Sequence, residues 1–89
     1  MASSFIHDPN ADLDYAVNWT AWLDGDTIAA SAWDVPTPLT SDQAAFTATT
    51  ATVWVQGGTA GVDYQVRNRI TTAAGRVEDR TITLMVREK

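Results

Sequence analysis

Apolar and polar residues alternate with period two through most of the chain, and turn residues divide the alternation into strands. Tyr15 to Leu23 reads as the first of these, with Tyr15, Val17 and Trp19 on one face and Ala16, Asn18 and Thr20 on the other. Trp22 then falls on the second face, unless a bulge near Thr20 and Ala21 turns it inward. Asp24-Gly25 is a turn pair suited to positive φ at both positions, and it leads into a second strand, Thr27 to Val35. There Trp33 and Val35 share a face opposite Ile28, Ala30 and Ala32. Pro36-Thr37-Pro38 ends that strand, because two of its three residues cannot donate to a ladder, and Thr40 to Ala45 is polar enough to predict a crossing loop.

The second half alternates more cleanly. Thr47 to Gln56 predicts a strand with Ala51, Val53 and Val55 inward and Trp54 outward. After the glycine-rich corner Gln56 to Gly61, Val62 to Thr72 puts Val62, Tyr64, Val66, Asn68 and Ile70 on one face and Arg67 and Arg69 on the other. Val77 to Arg87 closes the chain with Ile82, Leu84 and Val86 inward. For these last two strands to share a core face, paired positions must sum to an even number, such as Asn68 opposite Ile82, which favours a three-residue loop Ala74-Gly75-Arg76. That register sets Arg67 opposite Thr83 and Arg69 opposite Thr81.

Five or six strands, short turns and no helix of useful length predict an all-β chain, an Ig-like or fibronectin-III-like antiparallel β-sandwich. Residues 1–14 lack periodicity and contain an Asp-Pro step, so they are expected as an extended N-terminal arm, with one sandwich domain over residues 15–89. The corner Gly58-Thr59-Ala60-Gly61-Val62-Asp63-Tyr64 resembles the approach to strand F in Ig-like domains, where a tyrosine anchors the preceding connection; Tyr64 holds that place. A small Greek-key barrel is the competing architecture.

Composition and charge narrow the function. At 89 residues without a cysteine, one core must be held by packing or assembly, and disulfides and thiolate metal sites are excluded. No apolar run approaches the roughly 18 residues of a membrane span, so a soluble chain made in a cytoplasm is expected. The net charge of −5 argues against nucleic acid as partner. The charge is also split: residues 1–66 hold eight aspartates and no Lys or Arg, whereas residues 67–89 hold all six basic residues against three acidic ones.

Catalytic chemistry finds little support. His7 is the sole histidine and is expected to be an exposed arm residue, with no nucleophile or metal ligand that the sequence places beside it. Asp24, Asp26 and Thr27 lack the acidic spacing of a calcium loop, the Gly57–Gly61 cluster precedes a strand and not a helix, and Glu78 and Asp79 are adjacent in a strand and so point apart. No catalytic residue, metal or cofactor is therefore expected. Four tryptophans in so short a chain exceed what a small core uses. Outward Trp54, and Trp22 with it, are candidate partner contacts, joined by Arg67 and Arg69 on one sheet face and by Phe5 and His7 in the arm.

Two stretches carry a family likeness. The arm with its Asp8-Pro9 step, then Leu13-Asp14-Tyr15 and Trp19-Thr20-Ala21-Trp22-Leu23, followed by Gly57 to Gly61, Tyr64, Asn68 and the hairpin from Ile70 to Arg76, resembles the small Ig-like structural proteins of tailed bacteriophages described as fibre-tail adaptors. Asn18 stands where that pattern has an acidic residue. The resemblance implies a non-enzymatic virion protein in several copies, self-associating in the particle and contacting tail, portal, fibre or capsid proteins. A capsid decoration protein of the same fold is one alternative reading, and a carbohydrate-binding module with outward tryptophans as stacking platform is another.

Overall fold

The computed structural model describes residues 3–88, so the first two residues of the expected arm and Lys89 lie outside the described residues. Among the described residues, seven strands form two facing sheets. β1 (Ser3–His7), β7 (Val77–Val86), β6 (Asp63–Thr72) and β3 (Ile28–Asp34) make one, in the order β1-β7-β6-β3. β2 (Asp12–Asn18), β5 (Thr50–Gly57) and β4 (Leu39–Phe46) make the other, in the order β2-β5-β4. All pairings are antiparallel except β1 with β7, which is parallel. The all-β sandwich read from the alternation is the architecture found.

The core lies where the alternation puts it. Val53, Val55, Val66, Ile70, Ile82, Leu84 and Val86 are all buried between the sheets with Tyr15, Val17 and Trp19. Burying a side chain of this size contributes about 1.5–3 kcal/mol, which for a chain without disulfides is the main source of stability.

Several local expectations are corrected. The segment read as an arm is extended, but Ser3–His7 is an edge strand of the four-stranded sheet and Asp12–Asn18 pairs with β5. The strand at Tyr15 stops at Asn18, and Thr20–Leu23 is a single helical turn, α1. The Asn18 carboxamide explains the switch: its Oδ1 accepts from both the Thr20 N–H at 3.0 Å and the Thr20 hydroxyl at 2.6 Å, drawing the backbone out of the ladder. Asp24 and Gly25 do take positive φ, as expected, but they end this turn instead of joining paired strands.

Thr40–Ala45 is not a loop but lies within β4, whose polar composition reflects an edge position with one neighbour. In β3 a register shift between Ile28 and Ala30 turns Ile28 to the core side, with Trp33 and Val35 also packed on the core, so the opposition of these residues is lost.

The β6–β7 hairpin keeps the even sum but shifts by two residues: Asn68 faces Arg80, Arg67 faces Thr81 and Arg69 faces Asp79. Gly75 is the reason. It takes φ +89°, donates its N–H to the Thr72 carbonyl, and is the last residue of the loop Ala73-Ala74-Gly75, closed by the Thr72 N–H to Arg76 carbonyl bond.

Candidate functional site

No group of His, Cys, Asp and Glu residues suited to a metal ion occurs among the described residues, and no helix there is long and apolar enough to cross a membrane. What the sandwich offers is three surfaces: the outer face of each sheet and the open side between β3 and β4.

Trp54 stands at the centre of the smaller sheet's outer face. It alternates with buried Val53 and Val55 on the middle strand β5, so its indole points away from the core and remains half-buried among its neighbours. The register sets it between Asp14 on β2 and Gln43 on β4, with Asp12 opposite the adjacent Gln56. Residues directly opposite share a face. The result is an aromatic platform with two carboxylates on one flank, and neither Asp12 nor Asp14 takes part in an ion pair among the described residues. This acidic flank is legible only with the strand register, because Asp12 and Asp14 lie some forty residues from Trp54 in the chain.

The arginine face is different. Arg67 reaches Asp34 of β3 at 3.3 Å, and Arg69 grips Asp79 with two bonds, Nε at 2.6 Å and Nη2 at 2.9 Å. That fork holds the Asp79 carboxyl below the usual carboxylate range and raises the Arg69 guanidinium. Both arginines are thus neutralised within their own chain.

The other three candidates do structural work. His7 is fully buried and not an exposed arm residue; its Nδ1 lies 2.6 Å from the Tyr15 hydroxyl. Phe5 stacks at a tilt on the same tyrosine, ring centres 5.3 Å apart, so β1 is fastened to the opposite sheet through Tyr15. Burial, then the charge of Asp14, pushes the Tyr15 phenol up. Trp22 meets Trp19 edge-on at 5.4 Å and lies beneath the Arg76 guanidinium at 4.3 Å, closing one end of the sandwich. The spacing Trp19, Trp22, Leu23 is the helical i, i+3, i+4 pattern, a signal present in the sequence that the strand reading overrode.

Beside β4 the two sheets part. An open groove there is lined by Trp33, Asp34 and Val35 from the β3 side and by Leu39, Asp42 and Gln43 from β4. None of the described residues that line it is basic.

A family model described as podophage GP4 fiber-tail adaptor protein gp77 matches residues 7–85, nearly the whole chain. No curated protein matches the sequence.

Proposed function

As the chain belongs to the podophage fiber-tail adaptor family, we propose that it is a non-enzymatic component of the virion, present in several copies, that joins the tail to fibres or other virion proteins. The observation that supports this most directly is the family match across both sheets. The surface we assign to the contact is the outer face around Trp54, where a half-buried indole lies beside Asp14 in a sheet that offers no cation of its own on β2, β5 or β4. Such a platform suits an aromatic or basic anchor from the partner. Arg67 and Arg69, being paired internally, are secondary to it.

The test is Trp54→Ala in a phage carrying the altered gene. The isolated variant should lose about 1 kcal/mol or less, as for ordinary surface changes, while particles should lose the adaptor or the fibres it holds. Particles with full adaptor and fibre complement would remove Trp54 from the contact. Unfolding of the isolated variant would instead make Trp54 part of the core.

A further inference from the structure

β4 is the edge of the three-stranded sheet, and its geometry is that of an acceptor. Among the described residues it pairs only with β5, and seven of its eight residues are exposed, Leu39 being the exception. On its free side every second residue turns an N–H and a C=O away from β5, the arrangement to which another strand can be added.

Three further features define what would fit. A register shift between Thr40 and Gln43 places Ser41 and Asp42 in a bulge, so the regular free edge is Gln43 to Phe46, beginning at the residue opposite Trp54. The adjoining groove presents Asp42, together with Asp34 in its bond to Arg67, and no described basic side chain lines it. Trp33 lines the groove beside them, so its indole senses whatever occupies it.

We propose that the free edge of β4 receives an extended basic segment of a partner protein as an added antiparallel or parallel strand. Alternate side chains of that strand lie over the groove, where Lys or Arg meets the Asp42 carboxylate and shares Asp34 with Arg67. The intervening side chains continue the outer face next to Trp54. Main-chain bonds supply affinity in this mode, and the alternate side chains supply selectivity.

A second copy is the poorer occupant. The strand that a second copy would add, β4 itself, carries Asp42 and no Lys or Arg, so it brings no cation to the acidic groove, in a chain of net charge −5. That the partner is a virion protein rests on the adaptor reading; that it is basic and extended rests on the edge and the groove alone.

The experiment uses the full chain with an octapeptide of alternating lysine and valine as probe, and its glutamate–valine counterpart as control. Amide hydrogen exchange and the Trp33 indole resonance are followed by NMR. The lysine peptide should slow exchange at the amides between Gln43 and Phe46 that face away from β5, every second residue, by about tenfold or more and shift the Trp33 indole, and the glutamate peptide should do neither. Asp42→Lys, a change on an exposed bulge, should abolish the response while leaving the dispersed spectrum of the folded chain. No slowing at Gln43 to Phe46, or equal slowing by both peptides, overturns the proposal. Slowing that appears without peptide as protein concentration rises overturns it in favour of a second copy. None of these outcomes depends on particle assembly, so failure here is distinct from failure of the Trp54 contact in virions.

Discussion

The Trp19 indole N–H donates to Oδ1 of Asn68 at 2.9 Å, joining the end of β2 to the middle of β6 across the sandwich. Both residues are fully buried. The Asn68 amide nitrogen in turn donates to the Ser31 hydroxyl and to the Ala32 carbonyl, each at 3.0 Å, so one side chain ties β3 and the Trp19 corner to β6. A polar group this deep is tolerated because its oxygen and both N–H groups are engaged.

Replacing Asn68 with Leu keeps the approximate volume but orphans the Trp19 N–H. The expected cost is about 1–3 kcal/mol, read as a lower urea midpoint with an unchanged m-value. Equal midpoints for variant and wild type would mean that the bond contributes nothing net.

Tyr64 supports the corner between β5 and β6, since its hydroxyl accepts the Thr59 N–H at 3.0 Å. Tyr64→Phe removes that acceptor at a half-buried site and should cost on the order of 1 kcal/mol, with partner binding unaffected once folded. Unchanged stability would show that water replaces the hydroxyl without loss.

Gly58 should tolerate no side chain. It sits at φ +97°, and a Cβ there would come within 2.8 Å of Val86 Cγ2 and 2.9 Å of Leu39 Cδ2. Gly58→Ala is expected to destabilise by roughly 1–3 kcal/mol through backbone strain, before any repacking of Leu39 and Val86. Gly61→Ala, with φ +88° but open space around it, separates the two effects: its loss in thermal stability should be the smaller.

Acid should loosen the chain through two aspartates. Hydrogen bonding from Thr72 first, then from the Thr27 amide, Arg76 and the Ala74 amide, holds Asp26 below the usual carboxylate range. The Arg69 fork does the same for Asp79. A carboxyl depressed in the folded state contributes stability that is complete above its unfolded value, about 3.9, and is lost as pH falls through the depressed folded value. The stability these two aspartates contribute should therefore hold steady from neutrality to about pH 5 and fall below about pH 4, read from urea midpoints. In Asp26→Asn with Asp79→Asn the deficit against wild type should shrink as pH drops. Parallel curves for the two proteins would exclude this linkage.

What the sequence determined by itself was the layering. Period-two alternation is a local property, so the inward residues of β5, β6 and β7, the outward Trp54 and the even pairing sum of the last hairpin were all legible from neighbours in the chain. Gly75 was legible as a turn residue too, but its place as the third loop residue, and hence the true register, depended on which hydrogen bonds close the loop.

Tertiary structure decided the rest, because it concerns pairs of residues whose distance along the chain carries no signal. The edge position of β4 made a polar stretch a strand by giving it the β5 ladder to bond to. The parallel docking of β1 on β7 buried His7 against Tyr15, where the missing periodicity and the Asp8-Pro9 step suggested an exposed arm. Strand order set Asp14 beside Trp54 and Asp34 beside Arg67, making one face an acidic aromatic platform; Asp79, ten residues from Arg69 in the last hairpin, was already legible as its partner, and the register set the two directly opposite. Side-chain period shows which way a residue points; only the order and register of strands show what stands next to it.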